Sequence, residues 1–488
     1  MNSSLSKIIS DLHIEAANLE VHRFWKVKRN SKDPSKFVVL PNEVDFIEWL
    51  KSLGVCFEYA TNSLVQEKNG IITPIEIGQL KHIVRDAILE MPDVIDEDIT
   101  KDVVLNMIMA NEARLFRAKG VLEFLPTKKF NWLRATKDTA YFPFNNCIVE
   151  VVKNDVKTVS YDVLGDRVIW KSQIIDRDFE LLEPDGSDWA DFIFHAAGGT
   201  QELVDNLNNA LGYLLHDYKD QSNAFFTVFG ESVDDSSKGG GAGKGLVSNA
   251  LSYVVNTTFK DMRQFSPQDP FAWSGVTNQT KILVLSDLKK GFDHSILYNM
   301  VTDSIEVNRK NKPVEIIEFE NSPKILASTN YSIDMSTGHG NRRLRLVEFA
   351  PYFNAEHTPV HKYGHLFFKD WNDEDWNKFY SYLFICVAQY LSKGFPRIGE
   401  SHSAKKKRVL EAYGAADLYD WLAEYSTEGE YLPFSDVYID YSSSRHVSKP
   451  MGKNIFSKRL NEVADLLEKP IDIVEHAKVK KIKICSTK

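Results

Sequence analysis

The sequence predicts an α/β protein built on a mostly parallel sheet, preceded by a mixed α+β region and followed by a small winged-helix-like domain. Three observations predict the central part. An apolar strand-like run at 224–229 (AFFTVF) leads through a glycine-rich loop into a helix-like stretch, LVSNALSYVV. Two more buried-strand runs follow, KILVLSD at 281–287 and SPKILASTN at 322–330. Helical periodicity precedes the first strand, and alternation of helix and strand is the pattern of a parallel sheet.

The chain has 488 residues, enough for about three domains of ~150 residues. The expected boundaries are 1–185, 186–222, 223–400 and 401–488. With 43% hydrophobic, 26% charged and 12% aromatic residues, the chain can bury sizeable cores. A formal net charge of -9 excludes a protein that is basic throughout, but leaves room for a local basic patch. Cys56, Cys147, Cys386 and Cys485 are far apart with no C-x-x-C pair, so a zinc ribbon has no ligands. Sparse thiols suit a reducing compartment. The start, MNSSLSKIISDLHIEAANLE, lacks the apolar core of a signal peptide. No run approaches the ~20 apolar residues of a membrane span, and a cytoplasmic protein without membrane contact is expected.

In the N-terminal region, 44–53 and 74–90 read as amphipathic helices, and 147–152 and 167–170 as short strands. His13 and His22 read as surface histidines. Trp25 with Lys26, Lys28 and Arg29 reads as a solvated basic turn. A polar stretch at 183–188 separates this region from 189–216, which reads as one or two helices.

The strongest local signal is Gly239, Gly240, Gly241, Ala242, Gly243, Lys244, Gly245 and Leu246. Small residues let backbone N–H groups turn inward around phosphate oxygens. A lysine reaches the terminal phosphates, and the following helix faces its N-terminus to the anion. The flanking strand and helix give the motif its context. It departs from the usual pattern twice. Lys238 stands where the loop's first glycine is expected, and Gly245 stands where Ser or Thr usually binds Mg²⁺. The long lead-in at 231–238 has no assigned role.

Asp287 ends the second apolar run, placed to hold Mg²⁺ directly or through water. The residue before it is Ser286 rather than a second acid, which leaves the catalytic base open. The third run ends in Thr329-Asn330. A neutral amide there can hold a γ-phosphate or a water without adding negative charge. Between these runs, 305–316 reads as a β-hairpin with Arg309, Lys310 and Lys312 at its tip, suited to gripping nucleic-acid phosphates without sequence preference. After residue 401 come a basic helix start, an amphipathic helix, two short strands, a helix at 454–467 and the ribbon KVKKIKI.

The ordered segments GGGAGKG, LVLSDLKKGFDHSILYNMVTDSIEVNRKNK, SPKILASTNY and GHGNRRLRLVEFAPYF resemble those of a superfamily 3 helicase. These are AAA+ motors of viruses, phages and plasmids. The nearest likeness is to phage and mobile-element primase-helicases related to the poxvirus helicase-primase, over roughly residues 190–400. The resemblance implies an ATP-dependent ring, usually a hexamer, with ATP and Mg²⁺ bound between subunits and single-stranded or forked DNA in the channel. It implies Lys244 as the phosphate-loop lysine, Asp287 as the metal acid and Asn330 as the γ-phosphate sensor. Lys310 would ride on DNA, and Arg342 or Arg343 would reach a neighbour's site as an arginine finger; the sequence does not separate the two. Residues 186–222 would form a collar and 1–185 an accessory or loading domain, since no paired-acid primase strand is evident there. A primase or polymerase is an expected partner. A slow-hydrolysing initiator, a helicase half of a helicase-primase and a small-molecule P-loop kinase are the rival readings.

Overall fold

This computed structural model describes residues 23–485 apart from 34–35, 97, 118, 232–239, 267, 332–341, 396–404, 407, 428 and 477–478. Gly239, His13, His22 and most of the 231–238 lead-in therefore lie outside the described residues. The chain divides into two compact units, one of residues 1–133 with 161–174, the other of 134–160 with 175–488. The strands at 139–159, read in sequence as part of the N-terminal region, thus fold with the second unit.

The first unit carries helices Glu43–Ser52, Ile77–Leu89 and Lys101–Ala110 with a five-stranded sheet centred on Leu64–Lys68. The second helix starts three residues later than its periodicity suggests, because 71–74 is paired as a strand and Glu76 with Gln79 forms a capping box. Trp25 corrects the basic-turn reading. It opens strand Trp25–Arg29, is 3% exposed, and packs beside Phe24, whose ring stacks on Trp49 at 4.1 Å. Alternation along the strand turns Lys26 and Lys28 outward while the indole goes to the core, and Arg29, exposed at the strand's end, pairs with Asp98.

In the second unit, the central sheet has five parallel strands: β1 (Phe226–Glu231), β2 (Thr257–Asp261), β3 (Ile282–Ser286), β4 (Lys324–Ser328) and β5 (Leu344–Phe349). Their spatial order is β2-β3-β4-β1-β5. Strand β4 is thus inserted between β1 and β3. The sheet is covered on both faces, which explains the near-continuous apolar runs. In β3, Ile282 and Val284 enter one core while Leu283 and Leu285 enter the other.

On the first face lie α1 (Asp188–Ala197), α2 (Gln201–Leu215) and α3 (Lys244–Leu251), together with the long helix α5 (Asp373–Lys393). Helices α2 and α5 approach so closely that a Cβ on Gly212 would stand 2.2 Å from the Cys386 carbonyl oxygen. A three-stranded antiparallel sheet over Thr139–Pro143, Ile148–Val152 and Asp155–Val159 joins this core through Phe142 and Phe144. The opposite face is covered by α4 (Ser295–Thr302) and by the hairpin Ile305–Val307 with Glu315–Ile317. The C-terminal part has its own core, built from helices Ala416–Glu424, Phe434–Ser443 and Lys453–Leu466 and a sheet of Leu432–Pro433, Val479–Ile484 and Ile471–His476. Among the described residues no helix is long and apolar enough to cross a membrane.

Candidate nucleotide-binding site

Parallel strands deliver their carboxyl ends to one edge, and the point where strand order reverses leaves a crevice there. The carboxyl ends of β1, β4 and β3 meet in such a crevice. Its loop begins with Glu231, the last residue of β1, which is 5% exposed. The Gly240 N–H donates to Glu231 Oε2 at 2.7 Å. The chain then passes Gly241 (φ 85°), buried Ala242 and Gly243 (φ 96°) into α3. Glycine is required at 243 twice over. A side chain rarely adopts that φ, and a Cβ would lie 2.8 Å from the Phe192 ring of α1.

Lys244 opens α3 and is 8% exposed. Its Nζ is ion-paired to the Glu231 carboxylate and donates to Asn330 Oδ1 at 2.8 Å. Asn330 is positioned by the residue before it. The Thr329 N–H donates to Phe229 O at 3.1 Å and its hydroxyl to Leu288 O at 3.1 Å, tying the end of β4 to both neighbours. Asp287 follows β3 at φ 59°, a left-handed turn that Asp tolerates. Its N–H donates to Ser328 Oγ at 3.3 Å, and its exposed carboxylate lies 3.9 Å from Arg263 Nε. The same guanidinium hydrogen-bonds Asp261 at the end of β2 and holds that carboxyl down to about 2.

These groups line a cavity of about 750 Å³ that contains Gly240, Gly241, Ala242, Gly243, Lys244, Gly245, Leu246, Ser286, Asp287, Ser328 and Asn330. Its far wall carries Phe259, Val360 and Leu366, all exposed. A polar floor with an apolar wall and that volume suit a nucleotide. Gly245 is exposed, and a Cβ there would meet nothing within 4 Å. The next hydroxyl on α3, Ser248, donates to Lys244 O at 2.9 Å. No group of three or more His, Cys, Asp and Glu among the described residues is placed to hold a metal. Mg²⁺ does not need one, because it commonly takes one or two carboxylates with waters and phosphate oxygens. Asp287 in the crevice fits that demand.

The remaining expected residues lie elsewhere. Arg342 and Arg343 precede β5, and Leu344 is in register with Phe226 at the start of β1. They therefore stand at the amino ends of the strands, away from their own chain's crevice. Arg342 is exposed, while Arg343 lies 5.5 Å from the Tyr298 ring of α4. In the hairpin, Arg309 is anchored. It pairs with Glu315, donates to Ser274 O at 3.1 Å and also bonds Val276 O. Lys310 and Lys312 are exposed at the tip. Reading the sequence missed Glu231 and Arg263. Each is a charged residue at or just beyond a strand's carboxyl end, and that position was the available signal.

No family model matches the chain, and no curated protein matches it. Among solved structures, the A form apo structure of the NrS-1 C-terminal region aligns with 90% of this chain and 98% of that chain, at 13% identity and a TM-score of 0.43. A further apo structure of that region gives 12% and 0.43 over the same shares. A JCV helicase with a bound acetamide compound aligns over 34% of this chain and 45% of that one, at 14% identity and a TM-score of 0.24. Likenesses this distant leave the crevice to be interpreted from its own geometry.

Proposed function

We propose that this chain is the motor subunit of an ATP-driven, ring-forming DNA helicase. The observation that carries the reading is the meeting of Lys244, Asn330 and Asp287 at the carboxyl ends of three adjacent parallel strands. The loop amides and the Lys244 ammonium bind the β- and γ-phosphates of ATP. Asn330 fixes the γ-phosphate or the attacking water, and Phe259, Val360 and Leu366 take the base. Asp287 would hold Mg²⁺, which would supply neutralisation of the charge on the transferring phosphoryl group. Phosphoryl transfer needs positioning and charge neutralisation more than covalent chemistry, and these residues supply both.

Arg342 and Arg343 stand too far along the strands to serve their own crevice, so in a ring they serve a neighbour's. Exposed Arg342 is the better finger. A closed homo-oligomer, a hexamer in this reading, is thereby required for turnover. Lys310 and Lys312 at the hairpin tip track the phosphates of one DNA strand while the other is excluded. The C-terminal order of helix, short strand, two helices and a two-stranded ribbon supports a winged-helix-like domain. A primase or polymerase is the partner this reading implies.

One test is ATP hydrolysis by the purified chain, with and without single-stranded DNA. DNA-stimulated turnover that falls in Lys310→Ala, with strand displacement on forked DNA, is expected. Binding of ATP without turnover would move the chain to a second reading, an ATP-binding replication initiator. Glu231 on Lys244, Gly245 in place of a hydroxyl and Ser286 in place of an acid favour that second reading.

A further inference from the structure

The amino ends of the same strands enclose a second cavity. It has a volume of about 220 Å³ and is lined by Lys219, Lys324, Tyr213, Phe319 and Tyr390, with Lys137 and Lys153 also on its wall. Lys324 is the first residue of β4 and is 4% exposed. Its ammonium donates to Tyr213 O at 2.6 Å and to His216 O, carbonyls at the end of α2, and lies 4.1 Å from the Tyr213 ring. An ammonium has three donors, so one remains. Lys219 donates to the Ser322 hydroxyl and lies 4.2 Å from the Phe319 ring. Two of its donors remain.

The charge balance of this cavity is one-sided. Among the described residues no carboxylate forms an ion pair with Lys219 or Lys324. The acid acting on both is half-buried Asp217, and it is bonded to Lys281 at 2.8 Å. Three lysines thus share one aspartate, with exposed Glu320 acting on Lys219 from outside. Of the acids on the wall, Asp138 is paired with Lys153 at 2.9 Å, and Asp220 accepts from the Ser222 N–H and hydroxyl at 2.9 and 2.7 Å. Taking ammonium groups out of water without counter-charge costs several kcal/mol per ion. Burial accordingly pushes Lys324 down to about 7 and Lys219 down to about 8. An anion in the cavity would restore the balance. The rings of Tyr213, Phe319 and Tyr390 add flat surface beside it, the kind of wall on which a nucleobase stacks.

We propose that this cavity is a second phosphate-binding site, taking a phosphate ion or the phosphate of a mononucleotide between Lys219 and Lys324. It lies across the sheet from the phosphate loop, about five strand residues or ~17 Å away, and it uses different side chains.

The test is calorimetric titration of the full chain carrying Lys244→Ala, which weakens phosphate binding at the loop. Inorganic phosphate, adenosine monophosphate, adenosine and a short oligothymidylate are the probes. Phosphate is expected to bind this protein, with binding weakened about tenfold or more by adding Lys219→Ala and kept by Lys219→Arg. Tighter binding of the monophosphate than of phosphate, with adenosine alone silent, assigns the nucleotide. Equal binding of the two assigns the phosphate ion. Absence of phosphate and monophosphate binding at millimolar concentration overturns the proposal. So does binding unchanged in a Lys219→Ala chain whose melting curve is intact. Lys219-dependent binding of the oligonucleotide alone overturns it in favour of a DNA contact.

Discussion

At the carboxyl ends of the strands, Lys244 is held by the Glu231 carboxylate and the Asn330 amide. At the amino ends, Lys324 rests on two main-chain carbonyls and Lys219 on a serine hydroxyl. Each end buries a lysine, Lys244 at one and Lys324 at the other beside half-buried Lys219, but they resolve the charge differently. An anion arriving at Lys244 must displace a resident carboxylate, so binding there is an exchange. An anion arriving at Lys219 and Lys324 meets charge that has no resident partner, so binding there is an addition. Exchange suits a site that must hold and release nucleotide in a cycle. Addition suits a site that gains order and charge balance when filled.

The largest expected effect breaks one end while sparing the other. Lys244→Ala should lower ATP turnover by ~100-fold or more, measured as phosphate release, and should also lower the melting temperature, because it leaves the buried Glu231 carboxylate without its ion pair. Next, Gly243→Ala should destabilise the chain by ~1–3 kcal/mol, because its Cβ meets the Phe192 ring at 2.8 Å and its φ is 96°. Chemical denaturation reads this directly, and an unchanged midpoint would contradict the close packing of loop on α1. Glu231→Gln sharpens the exchange argument. It keeps one acceptor oxygen, for Lys244 or for the Gly240 amide, puts an NH2 donor in place of the other, and removes the competing charge, so nucleotide should bind several-fold tighter in a fluorescent-nucleotide titration.

Gly245→Thr should give a smaller gain. The open space at its Cβ admits the hydroxyl that the loop lacks, and the Mg²⁺ concentration needed for half-maximal turnover should fall. The smallest effect tests the amino ends. Lys324 and Lys219 sit at about 7 and about 8, below the ordinary lysine value. The unfolded chain therefore binds more protons than the folded one above pH 7, and stability rises with pH. The window closes before pH 10, where buried Tyr213, pushed far up by burial, begins to favour the unfolded chain. A melting temperature that rises by a few degrees from pH 7 to pH 9, and less in Lys324→Met, is expected.

Much of the sheet and part of the crevice were legible in the sequence. Strands covered on both faces must be apolar at every position, so β3 and β4 stood out as runs. The phosphate loop was legible because its glycines answer a local backbone demand. Trp25 was misread because Lys26, Lys28 and Arg29 dominate the string, while period-two alternation hides a buried indole among them. Glu231 was missed because the apolar run stops at Phe229, whereas the structure carries the strand two residues further, through Gly230 to Glu231. The pairing of Lys219 with Lys324 was invisible. They stand on different elements about a hundred residues apart, and parallel-strand topology alone brings them together.

The insertion of β4 between β1 and β3 has a consequence for how the chain reaches its fold. The partners of β1 are β4 and β5, which are synthesised roughly a hundred residues later. Until residue 328 has emerged, β1, every residue of which is buried in the folded chain, has both edges unpaired, and one edge stays open until residue 349. Non-local pairing of this kind is slow, and an open apolar edge invites association with other chains. A nascent or truncated chain ending before β5 would therefore need a holding chaperone, and the phosphate loop would be among the last parts of the second unit to take shape.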